Sequence, residues 1–503
     1  MKIITKHNII LLILVLAVAE LSFAQFVLSP GSSITIKQGT SLYVGTSLYI
    51  KSDVSGSGYL ADQNSAGNCT ISGDKTVERY LSANGWHNVS SPVSNTTSAV
   101  FAGTDLVFYY DETIILNDWN FGWVWYNGSL SVMKGYDLFL PSTITANYNA
   151  TGGESLNTGS FNIDITRTNV ANGEAENRKG WNLIGNPYPS PVDWLMESGW
   201  DKSDINDAKY IWNPDNNNYT IFLGGSSPIG INGGTQYIPS NQGFWVQAVQ
   251  NGNISISNTT RLGIMTSTPD YYKNSYSTSQ ELRLIASGNG YTDETMIRFL
   301  DGTTPGFDIN NDASKLFSAH DSVPQISTQA ENTIVAINSQ SKITDGLAIE
   351  MNFSCNTPGN YNISIDESSI IDPVHKIYLK DLREQKMIYM SSQKVYHFNH
   401  NPSYSKSRFI VYFNPSQDII NNISPQLYFN IITHKNMLTI TRNTTKQYDG
   451  EVSIYNLLGQ RLKNFPLSNS ITTNIALSIP AGYYIVSIVA DRQVINSKIR
   501  ITY

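Results

Sequence analysis

Short apolar runs alternate with polar positions along most of this 503-residue chain, and Gly, Asn, Ser and Pro break them at close intervals. Between Gln280 and Phe413 the runs Glu281-Leu-Arg-Leu284, Thr295-Met-Ile-Arg-Phe299, Thr333-Ile-Val-Ala-Ile337, Leu347-Ala-Ile-Glu-Met351, Tyr361-Asn-Ile-Ser-Ile365, His375-Lys-Ile-Tyr-Leu379 and Arg408-Phe-Ile-Val-Tyr-Phe413 are strand-like. A period of two places one set of side chains on a core and the other in solvent. The count and spacing predict a β-sandwich of jelly-roll-like form over 280–414, with Asp312 to Ser318 as a single short helical excursion. Nearer the start, Ser33-Ile-Thr-Ile-Lys-Gln38 precedes the tandem Ser41-Leu-Tyr-Val-Gly-Thr46 and Ser47-Leu-Tyr-Ile-Lys-Ser52. Residues 25–81 therefore read either as a β-solenoid-like stack of about three rungs or as a β-meander.

Residues 82–262 form an aromatic-rich β domain. They contain Trp86-His-Asn-Val-Ser-Ser-Pro-Val93, Gly180-Trp-Asn-Leu-Ile-Gly-Asn-Pro-Tyr-Pro-Ser-Pro-Val-Asp-Trp194 and Ile238-Pro-Ser-Asn-Gln-Gly-Phe-Trp-Val246. The Gly185-Asn-Pro-Tyr-Pro189 run combines residues tolerant of unusual backbone angles with prolines that lock φ. It predicts a rigid turn that can accommodate a cis bond; closing a sandwich is its ordinary role and a ligand loop the alternative. Linkers are expected over 263–279 and 415–425, and a further set of alternating strands, Met437-Leu-Thr-Ile440 among them, fills 426–503. The fold class that follows is all-β and multidomain.

Composition agrees with an extracellular β-protein. Charged residues are 15% of the chain, and the formal charge of −7 comes with no Lys/Arg-rich stretch that would neutralise a phosphate backbone, so nucleic acid is not an expected partner. Lys2 and Lys6 precede an apolar run from Ile9 to Ala19 and the small-residue site Ser22-Phe23-Ala24, the form of a signal peptide over 1–24. No later run reaches the length of a membrane-spanning helix. The two cysteines, Cys69 and Cys355, are read as separate thiols rather than a bridge. The N-x-Ser/Thr triplets at Asn68, Asn88, Asn95 and Asn127 are what a chain rich in these residues contains by composition.

The chain carries no G-x-S-x-G elbow, H-E-x-x-H, P-loop or C-x-x-C, and no catalytic residue is nominated. Asp293, Glu294 and Asp308 are carboxylates without a distinguishing context. His397 and His400 lie three apart and should face opposite sides of a strand, and His87 reads as a packed strand residue. Asp308-Ile-Asn-Asn-Asp312 opens like an EF-hand, but Ala313 and Ala319 occupy the sixth and twelfth positions, which leaves at most a looser oxygen cage for calcium there or at Asp201, Asp204, Asp207 and Asp215. No metal ligand is assigned. Trp119, Phe121, Trp123 and Trp125 alternate and should share one strand face. Such rings ordinarily fill a core; a flat platform for sugar rings is the alternative.

The segment from Asp449 to Tyr503 contains Val452-Ser-Ile-Tyr-Asn-Leu-Leu-Gly-Gln460, Ile479-Pro-Ala-Gly-Tyr-Tyr-Ile-Val-Ser-Ile488 and Lys498-Ile-Arg-Ile-Thr-Tyr503. It resembles the C-terminal sorting domain of type A substrates of the type IX secretion system, an export route of Bacteroidota, on the residues Tyr455, Asn456, Leu458, Gly459, Gln460, Pro480, Gly482, Tyr484 and Lys498. The aromatic-rich segments upstream resemble stretches of surface proteins that carry such tails. The resemblance implies an immunoglobulin-like sandwich over 426–503, presentation to the outer-membrane translocon and removal by a sortase-like peptidase, leaving a secreted or surface-attached passenger. The expectation is thus a non-enzymatic protein of adhesion, matrix or polymer contact, with carbohydrate binding as the second reading and polysaccharide hydrolysis as the third.

Overall fold

The computed structural model describes residues 25–114, 122–150, 155–168, 179–263, 280–421, 429–442, 450–468, 470–490 and 493–502. The segment expected to be a signal peptide and most of the expected 263–279 linker lie outside them. The fold is all-β, and the single α-helix among the described residues, Gln417–Asn421, falls within the expected 415–425 linker. The chain divides into two compact units: residues 1–342 with 354–371 and 397–404, and residues 343–353 with 372–396 and 405–503.

The first unit opens with a solenoid. Strand Gln25–Leu28 runs parallel to Ser47–Ile50, which runs parallel to Lys75–Leu81. Two further parallel pairs, Ser33–Ile36 with Tyr59–Asp62 and Leu42–Val44 with Cys69–Ile71, form the other faces. Parallel pairing of strands this close in sequence is the geometry of coils laid on one another, and it decides against a meander. Leu28, Ile50 and Val77 stack in register and are buried. The tandem repeat has a different meaning from the one its similarity suggests, because Leu42–Val44 and Ser47–Ile50 occupy neighbouring faces of one coil and do not stack. Antiparallel Ile144–Ala150 then covers the free edge of Lys75–Leu81 and caps the stack.

Downstream, a four-stranded sheet has the order Gly85–Val89, Tyr136–Leu140, Val107–Tyr110, Trp123–Trp125. A five-stranded sheet has the order Trp181–Gly185, Gly243–Ala248, Ile205–Asn213, Asn218–Leu223, Ile229–Ile231. Tyr110 and Trp123 of the first meet Trp245 of the second edge to face, with ring centroids 4.8 and 5.5 Å apart. The same core includes Met296, Ala313, Leu316, Ala336 and Ile337, so this aromatic interior is continuous with the strands that follow. Those are ordered Gln325–Ala330, Thr333–Gln340, Tyr291–Phe299, Gln280–Gly288, Gly359–Ile365, Val395–His400, with the Tyr291–Phe299 and Thr333–Gln340 pair parallel.

The proline-rich turn is a corner of the interior. Asn186 is fully buried and donates from its amide to the carbonyls of Ser190, Ile238 and Pro239, while its Oδ1 accepts from Tyr188 N. Arg261, 2% exposed, lies 4.8 Å from the Tyr188 ring and donates to Ser190 Oγ and to the Leu60 carbonyl, fastening the corner to the solenoid. Burial of this guanidinium lowers its pKa to about 10. All peptide bonds among the described residues are trans, so the corner is built without a cis bond.

The Asp312–Ser318 excursion is extended rather than helical. Ala313 and Ser314 bridge to Ile337 and Val335, and Lys315 N donates to Ile334 O. This pairing with Thr333–Gln340 holds the stretch extended, and Lys315 from it meets the buried carboxylate of Asp293. Tyr210 Oη holds the same stretch through Ser314 O.

In the second unit, Lys386–Tyr389, Ile377–Asp381, Ser407–Phe413 and Leu347–Ser354 are neighbours in that order. Arg408 and Asp381 form a buried ion pair at 2.7 Å, and Tyr396 Oη donates to Asp381. Among the described residues, seven strands then make an immunoglobulin-like sandwich: Phe429–His434, Met437–Arg442 and Thr472–Ala476 in one sheet, and Arg461–Pro466, Gly450–Tyr455, Gly482–Ala490 and Gln493–Ile501, in that order, in the other. Leu438, Ile440, Val452, Ile454, Val486 and Ile488 fill the space between them.

Candidate functional site

Of the rings predicted to alternate on one face, Trp119 and Phe121 lie outside the described residues. Trp123 and Trp125 do share a face but have different surroundings. Trp123 is half-buried against Tyr110 and Trp245, whereas Trp125 is 58% exposed, its indole fixed by a bond from Nε1 to Asp105 O at 2.8 Å.

Trp125 has neighbours that no sequence window contains. It stands opposite Phe108, and Trp86 stands opposite Phe139, all on the face that also carries Trp123. The Trp86 ring lies 5.5 Å from Phe139 and 6.1 Å from Phe108. Trp86 is 37% exposed, and Phe108 and Phe139 are half-buried. Four rings thus cross the four strands, a width of about 14 Å from three inter-strand steps. One end of this sheet face closes on the core and the other presents aromatic surface. Asp137, cross-strand from both Phe108 and Asn88, shares the face of these rings and accepts from Asn88 Nδ2 at 2.8 Å. Burial drives its pKa up to about 8, so near neutrality this carboxyl is largely protonated.

A second feature is a cleft of about 340 Å³ lined by Asn213, Asn216, Asn218, Asn232, Thr220 and Thr292, with Asp293 and Glu294 in its wall. Asp293 is fully committed: it accepts from Asn218 Nδ2, Asn232 Nδ2, Lys315 Nζ and Ile326 N. Glu294 receives Arg283 Nη1 and Asn232 N, each at 2.7 Å, and burial, the largest influence on it, raises its pKa. With both carboxyls held by neighbours, the wall offers a ligand mainly amide and hydroxyl hydrogen bonds.

The proposed oxygen cages are dispersed. Asp312 accepts from Ser339 N and Asp308 N, and its burial raises its pKa to about 7. Asp308 accepts from Asn310 N and Asn311 Nδ2. Asp201 caps Ser203, Asp204 takes Gln250 and Asn253 N, Asp207 pairs with Lys202, and Asp215 is exposed on the turn. Among the described residues, no three His, Cys, Asp or Glu side chains converge as a metal site. His397 is exposed and His400 buried, the opposite-face placement that their spacing predicts. His87 bonds Ser82 O at 2.9 Å, and burial lowers its pKa. Cys69 and Cys355 are free thiols, Cys355 beneath the hydroxyl of Tyr361.

The tail residues are organised around one turn. Asn456 Oδ1 accepts from Leu458 N and Gln460 N, Asn456 Nδ2 donates to Gln460 Oε1, and Gly459 N donates to Asn456 O. Gly459 has a φ of 81°, the positive value that its place in the turn predicts. Pro480 O accepts from Tyr484 Oη, Gly482 opens the next strand, and Lys498 lies opposite Ile485. Tyr455 pairs with Arg461 and Ile485.

These features define a multidomain all-β protein with an open aromatic sheet face, a polar cleft and a terminal sandwich. The chain belongs to the family described as a domain of unknown function, DUF8693, whose model matches residues 13–413. No curated protein matches it.

Proposed function

We propose that this chain is an exported, non-enzymatic protein of the cell surface or medium that makes contact with a polymer, and that the polymer is a glycan. The row of Trp86, Phe139, Phe108 and Trp125 carries the reading. Flat apolar ring faces match the apolar faces of sugar rings, and a row across four strands suits an extended chain better than a single small molecule. Export rests on the signal-peptide pattern and on the likeness of the tail to type IX sorting domains, with the translocon and a sortase-like peptidase as its partners. No cofactor is part of this reading.

The test is retention of the mature chain on a panel of polysaccharides by affinity electrophoresis. Binding to at least one, weakened about ten-fold by Trp125→Ala, is the expected result, equivalent to about 1.4 kcal/mol. Because Trp125 is 58% exposed, its removal opens no core. Retention that is unchanged in both Trp125→Ala and Trp86→Ala, or no retention on any polymer, would overturn the assignment.

A further inference from the structure

The terminal sandwich differs in charge from the rest of the chain. Residues 426–503 carry eight Lys and Arg against three Asp and Glu, within a chain whose formal charge is −7. Among the described residues of this domain the one carboxylate is Glu451, which is engaged by Asn464 Nδ2.

Strand register gathers the cations at one end of one sheet face. Arg461 lies opposite Tyr455, Tyr455 opposite Ile485, and Ile485 opposite Lys498, a single row across all four strands. Two residues further toward the turn, Tyr483 lies opposite Arg500. Tyr483 is 51% exposed, with Lys498 Nζ 4.7 Å and the Arg500 guanidinium 5.9 Å from its ring. Glu451 is on the same strand as Tyr455 but toward its opposite end. The apolar component stands at the same end: Leu457 and Leu458, 62% and 86% exposed, at the tip of the turn that Asn456 holds with its own side chain. Packing within the domain does not account for two leucines displayed on so firmly bonded a turn. A short apolar tip beside an exposed tyrosine and three arginine or lysine side chains is the composition that enters the interfacial layer of an anionic bilayer.

We propose that this end of the sandwich, formed by Leu457, Leu458, Tyr483, Arg461, Lys498 and Arg500, docks on an anionic lipid surface. Leu457 and Leu458 enter the headgroup boundary, and the three cations lie over lipid phosphates. Charge complementarity selects the occupant, because a neutral apolar partner would leave the row of cations unused. The inference does not depend on the glycan reading, and it can be tested apart from export.

The experiment is co-sedimentation of the chain with its terminal sandwich retained, residues 25–503, with vesicles of phosphatidylcholine alone and of phosphatidylcholine with about one-third phosphatidylglycerol. Binding is expected only to the anionic vesicles and should weaken as salt shortens the Debye length. Each cation removed should lower the partition coefficient by about five-fold, so Arg461→Gln with Lys498→Gln costs about 25-fold. Leu457→Ser with Leu458→Ser should lower it by about ten-fold or more without changing the melting curve, since both side chains are in water. Equal binding to neutral vesicles, no binding to either, or unchanged binding of both double variants overturns the proposal. Binding to native membranes that is lost on protease treatment, with none to lipid alone, would assign the patch to a protein partner and overturn it as well.

Discussion

Asp137 carries the clearest pH signature in the first unit. Its ordinary pKa of 3.8 rises to about 8 in the folded chain because burial disfavours its charge more than the amide of Asn88 supports it. Between those two values the folded state holds a proton that the unfolded state has released. Stability therefore falls as pH rises through that window, with a slope of at most about 1.4 kcal/mol per pH unit, and levels off above pH 8. Asp137→Asn keeps the size and removes the proton. Thermal melts from pH 4.5 to 8.5 should show the wild type losing stability relative to this variant as pH increases. Parallel curves would show that the carboxylate is ionised and solvated in the fold. The aromatic row on the same face as Asp137 is not legible in the sequence. The partners of Trp125 are set by register across four strands, and Trp86 and Trp125 are joined through Phe139 and Phe108, none of which falls in one window of alternation.

At the scale of elements, local chemistry was readable wherever one turn or one strand decided the outcome. The Met437–Arg442 strand, the opposite faces of His397 and His400, and the positive φ of Gly459 each follow from neighbours in sequence. The lost helix at Asp312–Ser318 and the tandem at Ser41–Ser52 do not. The first is held extended by its pairing with Thr333–Gln340, and the second bends at a solenoid corner whose existence depends on strands above and below. The Asn456–Gln460 turn allows a direct test. Gly459 meets no atom that a Cβ would strike, so a substitution there is strained by its backbone angle alone. Gly459→Val should destabilise the terminal sandwich by about 1–2 kcal/mol, because a β-branched residue resists positive φ, whereas Gly459→Asn should cost less. Hydrogen exchange across Gly450–Pro466 would report the difference; identical protection in Val and Asn variants would contradict the strain argument.

For the whole molecule, the boundary of the terminal sandwich determines how the export reading must be tested. The residues that resemble a sorting domain begin near Asp449, but the first described strand of the sandwich is Phe429–His434, and its hairpin with Met437–Arg442 supplies Leu438 and Ile440 to the core. A cut at Asp449 would leave that hairpin without the sheet that covers it, and two buried apolar side chains would face water at about 1.5–3 kcal/mol each. Loss of secretion by such a truncation would then be indistinguishable from misfolding or proteolysis. Deleting 426–503 removes the sandwich as a unit and leaves Arg408–Asp381 and the strands around it intact. In a host with type IX secretion, this shorter protein should fold, as judged by protease resistance of the remainder, and accumulate in the periplasm. Fusion of 426–503 to an unrelated periplasmic protein should carry that protein outward. If the truncated chain is folded and still appears at the surface or in the medium, the terminal sandwich is not the export signal, whatever its sequence resembles.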